Sequence, residues 1–145
     1  MSTTAAAAAT DPASLPRLEP VAVKQILDSG DASNSAVVLD VRDAAEVRDG
    51  AIAGRVHLES GAFSDTAQVD ALLDGPLAGK SQVIVHCMHS QKRGPACAAK
   101  LADRIKEREA AGGEKGPDVV VLRGGYEQFA EQFGDEEKLI VKGLP

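Results

Sequence analysis

The fold is decided by residues 83–95, which have the sequence Val-Ile-Val-His-Cys-Met-His-Ser-Gln-Lys-Arg-Gly-Pro. The β-branched run at residues 83–85 is typical of a buried strand, and Gly94-Pro95 with the alanine-rich stretch behind it is typical of a helix start. Residues 87–93 are therefore predicted to form the loop between a strand and a helix. Backbone N–H groups of such a loop surround a concavity at the helix N-terminus, where a tetrahedral anion can be bound.

Two residues of this loop carry the chemistry. Cys87 opens the loop and Arg93 closes it, so that the loop has seven residues when both ends are counted. The loop amides, the helix dipole and the Arg93 guanidinium all favour a thiolate, which is the nucleophilic form of cysteine. The planar guanidinium can bind two oxygens of an anion at once. The alternative, that Cys87 is a small buried hydrophobe at a strand end, requires the cysteine, the arginine and the strand-loop-helix context to coincide by chance.

The rest of the loop is predicted to bind the substrate, mainly through backbone N–H groups. The hydroxyl of Ser90 could also donate a hydrogen bond to the thiolate or to a departing group. The predicted substrate-binding residues are Met88, His89, Ser90, Gln91, Lys92 and Arg93.

A second layer of polar residues is predicted around the loop. Residues 36–43 form an apolar run that becomes charged at its end, as a buried parallel strand does at the sheet edge where ligands bind in open α/β folds. Asp40 and Arg42 are thus candidate second-layer residues, although they could simply be the first polar residues of a loop. His86 precedes the nucleophile, and we expect it to order the loop through hydrogen bonds rather than to transfer protons.

The alternation of strand and helix patterns predicts a single α/β domain. We expect a mainly parallel five-stranded sheet with helices on both faces. The predicted boundaries are a disordered leader at residues 1–15, the domain at 16–134, and a charged C-terminal tail at 135–145.

Composition excludes several classes of partner. The formal net charge of −6 argues against nucleic acid and acidic membranes as general partners, and no apolar run approaches the length of a membrane span. Two cysteines and the lack of a secretory signal favour a reducing compartment, so we expect a cytoplasmic or nuclear protein. The two cysteines and three histidines do not match the spacing of a structural zinc site, and we predict neither a metal nor a bound cofactor.

Three segments resemble the rhodanese-like superfamily: Leu-Asp-Val-Arg-Asp at residues 39–43, the His86-Cys87 loop, and Leu-Arg-Gly-Gly-Tyr at residues 122–126. In that superfamily the sulfurtransferases usually have a six-residue loop. Dual-specificity phosphatases of the cell-division-cycle type, and the eukaryotic arsenate reductases similar to them, have seven. The seven-residue loop and its Ser-x-x-Arg-Gly-Pro ending resemble the arsenate reductases most closely.

The resemblance implies an arsenate reductase that also has some phosphatase activity. Cys87 would attack arsenic(V), Arg93 would stabilise the charge, glutathione would supply the second thiol and glutaredoxin would complete the cycle. The alternative is a phosphatase of the dual-specificity cell-division-cycle type. Such an enzyme needs a general acid, and the loop contains no acidic residue, only His89. Less favoured are a thiosulfate sulfurtransferase and a non-catalytic module that binds a phosphorylated partner.

The thiol that follows Cys87 in the cycle is left open by the sequence. Cys97 lies one helical turn beyond Arg93 and shares a four-residue spacing with Leu101 and Ile105. That spacing predicts a side chain packed in the core, which favours an external thiol over Cys97 as the resolving group.

Overall fold

The computed structural model describes residues 10–29, 36–48, 50–88, 92–113, 115–136 and 139–141. Its strands are β1 (Arg17–Leu18), β2 (Ala36–Asp40), β3 (Ala51–Ile52), β4 (Val56–His57), β5 (Gln82–His86), β6 (Asp118–Leu122) and β7 (Ile140–Val141). Its α-helices are α1 (Pro20–Ser29), α2 (Ala44–Val47), α3 (Thr66–Asp74), α4 (Arg93–Ala110) and α5 (Gly125–Phe133). Short 3-10 helices cover Pro12–Ser14 and Ser60–Ser64.

Within these ranges the main sheet has five strands in the order β1-β6-β5-β2-β4, and every pairing is parallel. The three central strands are the valine-rich runs, which can be buried on both faces. The two edge strands, β1 and β4, have two residues each, so they offer little unpaired backbone for another chain. The predicted parallel five-stranded sheet is confirmed.

Helices cover both faces of the sheet. Successive side chains of a strand point to opposite sides, so the apolar residues of the central strands need helices on each face to bury them. Val83 and Val85 of β5 belong to a hydrophobic cluster that includes Leu101 of α4. Ile84, between them, belongs to a second cluster on the other face that includes Phe129 of α5. The register also aligns Asp40 with His86, so these two polar residues meet at the carboxyl edge of the sheet.

Parts of the predicted leader and tail are folded, although the domain boundaries themselves remain predictions. Thr10 donates hydrogen bonds from its backbone N and its Oγ1 to Asp103 Oδ1, at 2.8 and 2.5 Å. A 3-10 helix at Pro12–Ser14 also lies in the segment predicted as a leader, while residues 1–9 lie outside the described residues. In the predicted tail, β7 pairs antiparallel with β3. The sequence prediction missed this pairing because two-residue strands carry no measurable alternation.

A two-stranded contact of this kind is stabilised by side-chain burial. Ile140 is 4% exposed, and its neighbour Val141 is 39% exposed.

No helix in the described part of the chain is both long and apolar enough to cross a bilayer.

We expect Ile140→Ala to lower the free energy of unfolding by about 2–5 kcal/mol, because it leaves a cavity in the core beneath β7. The matched control, Val141→Ala on the same strand, should cost less than about 1 kcal/mol, because that side chain faces solvent. Urea unfolding at constant m-value measures both. Equal losses for the two variants would show that β7 does not pack as described.

Candidate active site

The structure places both ends of the predicted loop at the carboxyl edge of the sheet. Cys87 directly follows β5 and is 3% exposed, and Arg93 is the first residue of α4. Gly94 and Pro95 are buried, so the start of the helix is anchored in the domain. Of the other predicted substrate-binding residues, Met88 is half-buried and Lys92 is exposed. Residues 89–91, which are His89, Ser90 and Gln91, lie outside the described residues.

Arg93 is oriented by a residue that the sequence analysis did not select, Glu46 of α2. Arg93 Nη1 donates to Glu46 Oε1 and Arg93 Nη2 donates to Glu46 Oε2, both at 2.6 Å. This paired hydrogen bond raises the pKa of Arg93 and lowers the pKa of Glu46 below its ordinary value. A guanidinium has five N–H donors, so three remain for an oxyanion while Glu46 holds the other two.

Glu46 is itself fixed, although α2 has only four residues. Asp43 and Glu46 form a capping box, in which Glu46 N donates to Asp43 Oδ1 at 2.8 Å and Asp43 N donates to Glu46 Oε1 at 3.1 Å. Ala44 N also donates to Glu59 Oε1 at 3.2 Å. The Asp-x-x-Glu spacing of the capping box is visible in the sequence. The ion pair of Glu46 with Arg93, 47 residues away, is not.

His57 of β4 supports the segment that leads from β2 into α2. Its Nε2 lies 2.6 Å from the carbonyl oxygen of Arg42, which can only accept, so the ring must donate. The segment leading from β2 into α2 is thus tied to β4.

Asp40 and Arg42 form a fully buried ion pair, with both side chains 0% exposed. Arg42 Nε lies 3.0 Å from Asp40 Oδ1 and Nη2 lies 2.7 Å from Oδ2. The remaining donors reach the carbonyl oxygens of Gly50 at 2.9 Å and Glu46 at 3.3 Å, and the guanidinium stacks on the Tyr126 ring at 4.0 Å. Both predicted second-layer residues therefore act inside the scaffold, with no solvent-facing surface.

The pKa of Asp40 reflects two opposing effects. Burial alone would raise the pKa, but the hydrogen bonds and the positive charge of Arg42 outweigh it, and the pKa lies below its ordinary value. The carboxylate is thereby kept ionised next to the guanidinium.

His86 joins this buried pair to the loop. Its Nδ1 lies 3.1 Å from the carbonyl oxygen of Cys87, and its Nε2 lies 3.9 Å from Asp40 Oδ2. Burial lowers the pKa of His86 and outweighs the attraction of Asp40 for the charged ring. A neutral, enclosed ring that donates to a loop carbonyl agrees with the expected role in ordering the loop.

The turn before α5 presses against the opposite side of the loop. Gly125 has φ +64°, and a Cβ there would lie 2.5 Å from Met88 O and 2.7 Å from Cys87 O. The backbone N–H groups of Tyr126 and Glu127 donate to Cys87 O at 3.0 Å and to Met88 O at 2.9 Å. The first two loop carbonyls are therefore held by the N-terminus of α5, and any side chain at residue 125 would displace them.

Cys97 is packed in the core beneath the site. It is 3% exposed, its Sγ lies 3.9 Å from Ser60 O, and burial raises the pKa of its thiol to about 11. Such a thiol is almost fully protonated at neutral pH and a poor nucleophile. In the described ranges no group of three or more His, Cys, Asp and Glu side chains could hold a metal ion.

The fold and the site define a domain of a known α/β family. The model of the rhodanese-like domain matches residues 19–132, and the chain belongs to the rhodanese-like family.

Similar proteins carry two kinds of name. The dual specificity phosphatase Cdc25 of Arabidopsis thaliana is 35% identical over 89 residues, which cover 61% of this chain and 58% of that protein. The dual specificity phosphatase ibp1 of Schizosaccharomyces pombe is 32% identical over 119 residues, 74% of this chain and 83% of that protein. Arsenate reductase 2.2 of Oryza sativa is 33% identical over 89 residues, 61% of this chain and 65% of that protein. The chain thus spans less than two thirds of the first and third of these relatives.

Solved structures carry the same two names. Ygr203w of Saccharomyces cerevisiae, described as a homologue of single-domain rhodanese and of the Cdc25 phosphatase catalytic domain, superposes with a TM-score of 0.76 at 26% identity. The match covers 93% of this chain and 92% of that one. The As-Sb reductase of Leishmania major superposes with a TM-score of 0.70 at 25% identity, covering 90% of this chain and 88% of that one. The family and the names of these relatives support an enzyme.

We expect Glu46→Gln to lower the specificity constant by about 10–100-fold, because an arginine released from its carboxylate no longer presents its donors in one orientation. Steady-state kinetics with arsenate measure the effect. The charge-matched control is Glu131→Gln, at an exposed position of α5. Wild-type kinetics in a folded Glu46→Gln variant would show that Arg93 needs no positioning by Glu46.

Proposed function

We propose that this protein is an arsenate reductase that uses Cys87 as nucleophile and Arg93 as oxyanion clamp. The observation that carries the proposal is that the carboxylate beside Arg93 is ionised and paired with it. Glu46 is the carboxylate that contacts Arg93, and both of its oxygens are engaged by that arginine. Arg93 therefore offers its remaining donors to an oxyanion, and this carboxylate is held ionised. The As-Sb reductase among the similar structures supports the same chemistry.

The proposed reaction begins with attack of the Cys87 thiolate on arsenic(V). A sulfur–arsenic bond forms and one arsenate oxygen departs as water, with protons from the substrate and solvent. The loop amides and Arg93 stabilise the charge on the remaining oxygens. Reduction to arsenic(III) requires two electrons, which come from two thiols that end as one disulfide. Overall, arsenate and two thiols give arsenite, a disulfide and water.

Glutathione is proposed as the external thiol, with glutaredoxin as the protein that resolves the mixed disulfide. The burial of Cys97 and its pKa of about 11 argue against an internal resolving thiol. Because glutathione keeps the cytosol and nucleus reducing, we propose either as the site of action.

A phosphatase is the second candidate, supported by the relatives named dual specificity phosphatase. The same thiolate would form a phosphocysteine, and water would then hydrolyse it. The difficulty lies in the leaving alkoxide, which needs a proton from a general acid. Arg93 lowers the pKa of Glu46, so this carboxyl is ionised at neutral pH and cannot serve. His89 is the remaining candidate from the loop, and it lies outside the described residues.

We expect one preparation to form arsenite from arsenate in the presence of glutathione and glutaredoxin, and to release phosphate from p-nitrophenyl phosphate slowly. Cys87→Ser should abolish both reactions, because a hydroxyl does not replace the thiolate, but should retain oxyanion binding. Arsenite formation, phosphate release and arsenate affinity are each measured.

The other interpretations give distinct results in the same experiment. Phosphate release without arsenite formation would assign a phosphatase and overturn the proposal. A mass gain of one sulfur on Cys87 after thiosulfate treatment, without either reaction, would assign a sulfurtransferase. Oxyanion binding with no turnover of any substrate would assign a non-catalytic phosphate-binding module.

We expect Cys97→Ala to reduce arsenate turnover by no more than about twofold, because a buried free cysteine acts mainly as a small hydrophobe. Turnover is measured at saturating glutathione, and urea unfolding reports the accompanying loss of packing. A folded Cys97→Ala variant that is inactive, or that accumulates the arsenylated Cys87 adduct, would identify Cys97 as the resolving thiol.

A further inference from the structure

A cavity of about 560 Å³ lies at the amino edge of the sheet, at the opposite end of the strands from Cys87. The C-terminal part of α3, the turn at residues 75–81, the C-terminal part of α4 and a connector, defined as residues 111–113 and 115–117, surround it. Its lining residues are Leu73, Asp74, Leu77, Ala78, Gly79, Lys80, Ser81, Ile105, Arg108, Gly113, Lys115, Gly116 and Pro117. This volume is within the range of small-molecule sites in proteins.

The floor of the cavity is apolar and rigid. Leu73, Leu77 and Ile105 are buried core residues. The connector passes so close to this floor that a Cβ on Gly116 would lie 2.6 Å from Ile105 Cγ2. Gly116 N donates to Glu109 Oε2 at 2.7 Å, which fixes the connector in this position.

Three carbonyl groups in the last turn of α4 are occupied by hydrogen bonds from the residues that follow. The N–H groups of Ala111, Gly112 and Gly113 donate to the carbonyls of Glu107, Glu109 and Arg108. A Cβ on Gly113 would lie 2.8 Å from Arg108 O, so this tight cap depends on glycine.

The rim of the cavity is cationic in a chain whose net charge is −6. Lys80 and Lys115 line it and have no ion-pair partner among the described residues. Arg108 pairs with Asp74, and its Nη1 lies 3.6 Å from Asp70 Oδ1, is buried, and makes no hydrogen bond. Three cations and one carboxylate, Asp74, therefore line the cavity around an apolar floor, and Asp70 and Glu109 lie beside it.

We propose that this cavity is a binding site for a small amphipathic monocarboxylate. The aliphatic or aromatic body would cover the Leu73, Leu77 and Ile105 floor, and the carboxylate would pair with Lys80 and Lys115. The apolar floor favours a ligand with an apolar body over a fully hydrated anion such as phosphate, and the two lysines can pair with its carboxylate.

The site is separate from the oxyanion loop but shares a helix with it. Arg93 begins α4 and Arg108 lies fifteen residues further along, a separation of about 22 Å along the axis. The proposal is therefore independent of which oxyanion reaction Cys87 performs.

Octanoate is the probe for this site, followed by amide chemical shifts in the full chain. We expect saturable shifts at Leu77, Ile105 and Gly116. Binding should be about tenfold weaker for octanol, which lacks the charge, and for acetate, which lacks the apolar body. The double variant Lys80→Met/Lys115→Met, which retains the aliphatic stems, should weaken octanoate binding about tenfold. The control Lys100→Met/Lys106→Met changes the net charge equally on α4 outside the cavity and should bind as wild type.

Three results would overturn the proposal. These are an absence of saturable shifts, equal binding of octanol and octanoate, or equal affinity in the Lys80→Met/Lys115→Met variant and its control. Competition by arsenate, or loss of octanoate binding in Cys87→Ser, would place octanoate in the oxyanion loop and would also reject the cavity as its site.

Discussion

The buried ion pair of Asp40 and Arg42 is the interaction on which the rest of the structure depends. Arg42 extends from the end of β2 and reaches carbonyl oxygens of Glu46 and Gly50, while its guanidinium lies on the ring of Tyr126. Removing one partner would leave a buried charge uncompensated, a loss of about 3–5 kcal/mol in comparable pairs. Because folding lowers the pKa of Asp40, the pair stabilises the fold above the ordinary carboxyl pKa. That contribution is lost as the pH falls through the lowered value.

This pair helps to position both Cys87 and Arg93, the two ends of the loop. At one end it holds the backbone of α2, so that Glu46 can point at Arg93. At the other end Tyr126, on which Arg42 stacks, donates its backbone N–H to Cys87 O. Cys87 and Arg93, the proposed nucleophile and clamp, are therefore positioned from one buried centre. Such preorganisation matters for an oxyanion site, because donors that must reorient during the reaction stabilise the transition state less.

The sequence was sufficient for the central sheet and for the two ends of the loop, because both depend on local signals. Valine runs predict buried strands, and the spacing of Cys87 and Arg93 predicts the anion cradle whatever surrounds it. Glu46 could not be found in this way, since its role depends on a contact across 47 residues. The pairing of β7 with β3 was missed because residues 140–141 form a strand only through that pairing, and local propensity is weak over two residues.

The position of Glu46 also bears on the choice between two reactions that share one cradle. Arsenate and phosphate esters present similar tetrahedral oxygens, so the proposed clamp, Arg93, has little basis for discriminating between them. The difference lies in the proton required by the departing group, since an alkoxide needs a general acid and the oxygen lost from arsenate can leave as water. A carboxyl beside the clamp could have supplied that proton if its pKa were raised. Here the arginine proposed as the oxyanion clamp is the same group that keeps Glu46 ionised, so this pair cannot supply both the clamp and a proton donor.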